Sequence, residues 1–214
     1  MLFIDSFSDK ALELLKTGFF SGLTTNPSIL KRDRPGMGFK DVILFLNTIP
    51  GLHFVQGSME NLKWLEWLRE VVKEKKVNPE KFVIKLLWEP IRCFNLINDV
   101  RDLGFKICAT AVYSLNQYYL AEISKVDYVA IYFDRMRRTY MNPFKLIHDI
   151  LKIRVTDLNT PRIIAASIKN VEDANNLLIA GVNDLTLPLD VSIEFLKATF
   201  PLNDLEKFEK DFKF

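Results

Sequence analysis

The lysine of FVIKLL (82–87) is the side chain in this sequence most able to do covalent chemistry, because it stands inside one of the most apolar runs in the chain. Burial disfavours an ammonium, and a lysine in its free-amine form attacks carbonyl carbon. The protonated imine that results draws electrons from the neighbouring carbon–carbon bond and lets it break, which is aldol chemistry without a metal or other cofactor. A second reading stays open at this level: Lys85 snorkels from a strand end into solvent, or pairs with Asp5 or Glu89. Other polar residues close apolar runs in the same way. They are Asp5, the group Thr24, Thr25 and Asn26, then Gln56 and Ser58, Thr110 and Tyr113, Tyr132 and Arg135, and Ser167 and Lys169.

Each of these has a chemical and a plain structural reading. Asp5 is either a general acid or base or a cap for the helix that follows. Tyr132, in step with Tyr128 and Ala130 on one strand face, is either a proton shuttle or a packing residue. Gln56 and Thr110 either hold a water between them or satisfy strand-end backbone. Asn26 before Pro27 is at least an N-cap. Arg135, Ser167 and Lys169 combine a planar donor fork, a hydroxyl and a point charge, which together suit a phosphate. Arg135 alone, beside Arg137 and Arg138, reads equally as surface charge.

Positioning these groups requires strands that end together. Eight short apolar runs recur: 2–5, 21–26, 52–58, 82–87, 105–113, 127–133, 162–168 and 184–189. Between them lie segments with helical spacing, such as Leu62, Trp64, Leu65, Leu68 and Val71. Strands apolar on both faces and separated by helices predict parallel βαβ units, and eight of them predict an α/β fold of the (β/α)8 TIM-barrel type. The rival is an open doubly wound sheet, whose dinucleotide-binding version is weakened by the lack of G-x-G-x-x-G after the first run. In a parallel barrel the carboxyl ends of the strands converge on one rim, so the polar run-endings are expected to meet there. KRDRPGMGFK (31–40) reads as a surface loop, and VSIEFLKATF with DLEKFEKDFKF as two further helices. The last carries Phe208, Phe212 and Phe214. The expectation is one domain over 1–214, with 203–214 a C-terminal helix that contacts its own barrel or a neighbouring subunit.

The 214 residues are 49% hydrophobic and 26% charged, enough for a sizeable core. A net charge of +2, from 29 basic and 27 acidic residues, gives no general case for nucleic acid or an anionic membrane. Cys93 and Cys108 fall in different elements and suit a reduced, cytoplasmic compartment, while two distant histidines do not suggest a zinc site. MLFIDSFSDK has neither a basic lead nor a long apolar run, so no signal or membrane span is expected.

The segments SGLTTNPSIL, FVIK, ATAVYSLNQ, VDYVAIYFDR, IIAASIKN and GVNDLTLPLD resemble, in order and separation, the transaldolase family, including its small fructose-6-phosphate aldolase-like members. The likeness runs from Leu2 to about Asp190. It implies a (β/α)8 barrel, a Schiff-base lysine at Lys85 on the fourth run, no cofactor, and a phosphosugar substrate with a dihydroxyacetone end. By the same resemblance Asp5 is the acid/base aspartate, Asn26 binds hydroxyls of the covalent three-carbon unit, Thr110 helps hold the water, and Arg135, Ser167 and Lys169 grip phosphate; Thr25 is expected among the substrate-binding residues. Small members form rings, so a homo-oligomer, pentameric or decameric, is implied, with a place in cytoplasmic carbohydrate metabolism near the pentose phosphate pathway.

Within the family, transaldolases proper carry Glu where this chain has Gln56 and Phe where it has Tyr132. The Gln-plus-Tyr pair is similar to fructose-6-phosphate aldolase, whose tyrosine hydroxyl helps protonate the enamine and release dihydroxyacetone. Cys108 leans the same way. The stretch after the lysine differs from the family's small, Thr-containing one: here it is Leu86-Leu87-Trp88-Glu89-Pro90, with bulk expected at the rim. The sequence therefore points to reversible cleavage of fructose 6-phosphate to dihydroxyacetone and glyceraldehyde 3-phosphate. The alternatives are transaldolase transfer of that unit between ketose and aldose phosphates, and a phosphosugar-binding barrel without catalysis.

Overall fold

The computed structural model describes residues 1–154, 160–197 and 202–212. From the N-terminus run β1 (Leu2–Ile4), α1 (Asp9–Leu15), α2 (Pro27–Asp33), α3 (Phe39–Asn47), β2 (His53–Gln56) and α4 (Lys63–Lys73). Next come β3 (Phe82–Leu87), α5 (Pro90–Asp102), β4 (Lys106–Val112), α6 (Leu115–Ile123), β5 (Tyr128–Tyr132), α7 (Phe133–Arg138) and α8 (Pro143–Ile153). The chain continues through β6 (Arg162–Ala166), α9 (Val171–Ile179), β7 (Asp184–Leu187), α10 (Leu189–Phe195) and α11 (Leu202–Asp211). Residues 198–200, 213 and 214 of the expected terminal helices lie outside the described residues.

The strands form one parallel sheet of seven, ordered β1-β7-β6-β5-β4-β3-β2. Alternation explains why the runs are apolar on both faces. Phe3, Phe54, Val83, Cys108, Tyr128, Ala130 and Ile164 point to the concave side and pack on one another, with Phe54 edge-on to both Phe3 and Tyr128 at 5.0 and 4.9 Å. Their neighbours Ile4, Val55, Ile84, Ile107, Val129, Ile163 and Leu185 face outward into a larger core shared with the helices. Polar residues start the helices where strands end: the side chains of Ser8, Asn26, Glu89, Ser114, Asn142 and Asn170 each accept a backbone N–H of the first turn.

Of the eight expected strands, seven form regular strands among the described residues. The run SGLTTN forms only isolated bridges, Ile4–Leu23 and Thr24–Phe54. It nonetheless bonds both sheet edges: Ile4 N–H donates to Gly22 O (3.1 Å) and Thr24 N–H to Ile4 O (2.9 Å) on the β1 side. On the β2 side, Phe54 N–H donates to Leu23 O (2.9 Å) and Thr25 N–H to Phe54 O (2.9 Å). Gly22 makes this possible, because a Cβ there would lie 1.8 Å from Leu52 O. Gly22 and the turn into Asn26-Pro27 keep the run from becoming a regular strand despite its two threonines. KRDRPGMGFK is likewise only partly loop, since Lys31–Asp33 end α2 and Phe39 and Lys40 begin α3.

Candidate active site

Lys85 lies on the concave face of β3, between Gln56 of β2 and Cys108 of β4 in register. It is 6% exposed, and its Nζ donates to Thr25 O at 2.9 Å. The solvent-snorkelling alternative is therefore not what the fold adopts. Glu89 is occupied elsewhere, accepting Arg92 N–H at the start of α5. Lys85 shares with Asp5, Thr24, Tyr132 and Thr186 a cavity of about 20 Å³, room for one water-sized group. Asn26 lines this cavity and also, with Gln56, a wider pocket of about 400 Å³ formed against Leu30, Met37 and Phe39, within the range of small-molecule sites.

Asp5 follows β1 and is fixed by its N–H donating to Leu187 O at 2.7 Å. It does not cap α1, whose cap is Ser8. Its Oδ1 accepts the Thr24 hydroxyl at 2.7 Å, and Thr24 Oγ1 lies 2.6 Å from Thr186 Oγ1. Burial pushes the Asp5 carboxyl above the ordinary aspartate value; the positive charge of Lys85, the Thr24 hydrogen bond and the charges of Arg32 and Lys169 oppose that rise.

Thr110 and Tyr132 meet across β4 and β5, the threonine hydroxyl donating to the phenol oxygen at 3.1 Å. A register shift between Thr110 and Val112 makes this geometry. Ala111, at φ 63°, is the extra residue, so Val112 turns to the outer core although it stands two positions beyond the inward Thr110. Gln56 pairs with Lys85 in register on β2, whereas Thr110 stands opposite Leu87 on β4, two residues nearer the carboxyl end than Lys85's partner Cys108.

Asp134 N–H donates to Ser167 O at 3.2 Å, joining the start of α7 to the end of β6 and bringing the neighbourhoods of Arg135, Ser167 and Lys169 together. Ser167 holds a left-handed φ of 62°. Arg137 pairs with Asp173 at 2.8 Å and Arg138 with Asp134 at 3.0 Å, whereas Arg135 and Lys169 have no carboxylate partner among the described residues. The Arg135 guanidinium instead stacks 4.6 Å from the Tyr132 ring centre.

Asn26 spends its side-chain oxygen on Ile29 N–H (3.0 Å), leaving its amide donors for other use. Thr25 does not present its side chain to the cavity. It is fully buried, its hydroxyl donates to Phe54 O at 3.1 Å, and only its carbonyl reaches the site, through Lys85. The bulk expected after Lys85 is mostly packed away. Leu86 joins the outer core, and Trp88 is buried, donating through Nε1 to Gln117 O at 2.9 Å and through its backbone to Thr110 O. Leu87 alone stands at the rim, 52% exposed and on the same strand face as Lys85. Sequence reasoning passed over Thr186, although its alternation with Asp184 in DLTLPL marks it as facing inward.

No helix among the described residues is long and apolar enough to cross a membrane, and none of their His, Cys, Asp or Glu residues cluster in threes able to hold a metal. A solved N-acetylmannosamine-6-phosphate 2-epimerase from Clostridium perfringens superimposes with a TM-score of 0.57, covering 99% of this chain and 92% of its own at 14% identity, a likeness of fold alone. A probable fructose-6-phosphate aldolase of Streptococcus pneumoniae is 30% identical over 196 residues, 90% of this chain and 84% of that protein. A probable transaldolase of Carboxydothermus hydrogenoformans is 27% identical over 198 residues, 92% and 89% of the two chains. The family model described as transaldolase/fructose-6-phosphate aldolase matches residues 66–213. With the shared motifs and the buried lysine on its parallel sheet, the chain belongs to the transaldolase/fructose-6-phosphate aldolase family.

Proposed function

We propose that the protein is a Schiff-base aldolase that reversibly cleaves fructose 6-phosphate to dihydroxyacetone and glyceraldehyde 3-phosphate. The observation that carries this reading is the enclosed Lys85 amine sharing one cavity with a carboxylate and a phenol. Lys85 Nζ, in its amine form, adds to the ketose C2; loss of water gives the protonated imine. Asp5 takes the proton of the C4 hydroxyl, the C3–C4 bond breaks, its electron pair stays on C3 as an enamine, and glyceraldehyde 3-phosphate leaves. Tyr132, through a water between Gln56 and Thr110, returns a proton to C3, and hydrolysis of the imine frees dihydroxyacetone and Lys85. Asn26 orients the hydroxyls of the three-carbon unit, and Arg135, Ser167 and Lys169 hold the phosphate. The Tyr132 hydroxyl favours release of dihydroxyacetone over retention for a second aldehyde.

The same reading takes residues 21–25 as the eighth stave of a closed (β/α)8 barrel, and the chain as a cytoplasmic enzyme of carbohydrate metabolism that assembles into a ring of like subunits. Assembly is supported by Ile91, Phe94 and Ile123, which are 87%, 67% and 57% exposed around one groove between α5 and α6. Phe208 and Phe212 on α11 are 69% and 71% exposed. Light scattering on a chain ended at Leu202 is expected to give a smaller particle than the full chain.

Borohydride reduction with fructose 6-phosphate, followed by peptide mapping, is expected to leave a three-carbon adduct on Lys85. Turnover that requires erythrose 4-phosphate as acceptor would replace the aldolase by a transaldolase. Substrate binding with no adduct would leave a non-catalytic phosphosugar-binding barrel.

A further inference from the structure

We infer that Thr186 is a positioning residue for Asp5, acting through the Thr24 hydroxyl; the inference rests on the proposed role of Asp5 as the base of C–C cleavage. Three side-chain oxygens form a line: Asp5 Oδ1, Thr24 Oγ1 at 2.7 Å from it, and Thr186 Oγ1 at 2.6 Å from Thr24. The two threonines are 2% and 3% exposed, and the cavity they share with Asp5 has a volume of only about 20 Å³, so few partners other than each other are in reach. Backbone bonds hold all three places. Thr24 N–H donates to Ile4 O, Asp5 N–H donates to Leu187 O, and Thr186 pairs with Phe3 across β1 and β7.

Counting protons fixes the roles. An ionised carboxylate only accepts, so the single Thr24 proton goes to Asp5, and Thr186 must supply the proton between the two hydroxyls. When the proton taken from the C4 hydroxyl sits on Asp5 Oδ1, the chain runs the other way: the carboxyl donates to Thr24, and Thr24 donates to Thr186. Both hydroxyls rotate with the carboxyl through its two protonation states, and no heavy atom moves. Without the Thr186 hydroxyl, Thr24 lacks a donor in the first state and an acceptor in the second, each inside a closed site. Donation from Thr186 polarises the Thr24 O–H and strengthens the bond that stabilises ionised Asp5. The other groups facing Asp5 remain unchanged when Thr186 is altered: Lys85 from β3, Arg32 from α2, Lys169 after β6, and Cys108 and Tyr132 in the same cavity.

The test compares Thr186→Val, which keeps the shape and loses the hydroxyl, with Thr186→Ser, which keeps the hydroxyl. Thr186→Ala stands in should the valine variant unfold. The kcat/KM for fructose 6-phosphate cleavage is followed against pH, and the Lys85 adduct is trapped with borohydride in each protein. Thr186→Val is expected to move the acid limb up by about half to one pH unit and to lower kcat/KM near neutrality by about three- to tenfold. The adduct still forms, and serine restores both values to within about twofold. An unmoved limb, or a uniform loss at all pH that serine does not restore, makes Thr186 a packing residue and overturns the inference while leaving the aldolase reading intact. Absence of any adduct in the wild-type protein overturns the aldolase reading, and this inference with it.

Discussion

Two aspartates sit inside the same sheet on neighbouring strands, and the protein treats them in opposite ways. Asp184, at the amino end of β7, has a side chain 0% exposed and is fully compensated. Arg162 grips both of its oxygens at 2.7 Å, and the Met1 ammonium lies 2.6 Å from Oδ1. Asp5, at the carboxyl end of β1, receives one hydroxyl and faces its cations across a cavity. Both oxygens of Asp184 are engaged by cations, whereas Asp5 is left short of partners. The amino-end rim fastens strands together, while at the carboxyl-end rim Asp5 is left with one hydroxyl partner, as its proposed role requires.

Substitutions at the two rims should accordingly separate rate from stability. The largest effect is expected for Lys85→Met, which should lose about 10³-fold or more in kcat and all borohydride adduct, with unfolding by urea unchanged or shifted to higher concentration. Asp5→Asn should lower kcat by about 10²-fold or more, while its melting temperature holds or rises because a desolvated carboxylate has gone. Asp184→Asn should do the reverse, costing about 2 kcal/mol in urea unfolding with kcat within about twofold of wild type. That cost falls below the usual figure for breaking a buried pair because Arg162, 43% exposed, can turn to water. A stable Asp184→Asn with a damaged rate, or an unstable Asp5→Asn with a normal one, would erase the distinction between the rims.

The smallest effect is an acid-dependent one at His53. Burial lowers its pKa from 6.5 to about 4, and its Nδ1 accepts Leu23 N–H at 3.3 Å, so the neutral ring ties residues 21–25 to β2. The unfolded chain takes up a proton near pH 6.5 that the folded one refuses until about pH 4. Stability present above the first value is lost as pH falls toward the second. Between pH 7 and 5 the loss should reach about 1–2 kcal/mol, and His53→Gln should flatten that slope in urea titrations at each pH.

Much of this was legible in the sequence because strand alternation is a local property. FVIKLL announces a lysine on the face shared with Val83, and the polar ends of successive runs name Asp5, Gln56, Thr110 and Tyr132 as rim residues. What stayed hidden depends on partners distant in the chain. Thr25 looks like a site side chain until Phe54 O is seen to claim its hydroxyl. Arg135, Arg137 and Arg138 look alike until Asp134 and Asp173 occupy two of them. Thr186 stands 162 residues from Thr24, and nothing local to either residue tells that their oxygens meet. The bridging character of 21–26 was missed because it depends on the backbone of Leu52 and Phe54, some thirty residues away, against which Gly22, Leu23 and Thr25 fit.

Gly22 gives that segment a shared point of failure. The absence of one carbon lets the backbone pass beside Leu52 O, and everything downstream over four residues inherits its place: the Thr24 hydroxyl, the Thr25 carbonyl under Lys85 and the amide of Asn26. A methyl group added there would meet Leu52 O rather than Lys85 Nζ, yet it would push the Thr24 hydroxyl, the Thr25 carbonyl and the Asn26 amide out of alignment with the proposed site together. Tolerance to mutation in this protein is therefore set as much by a hydrogen atom at the back of the sheet as by the reactive groups at its mouth.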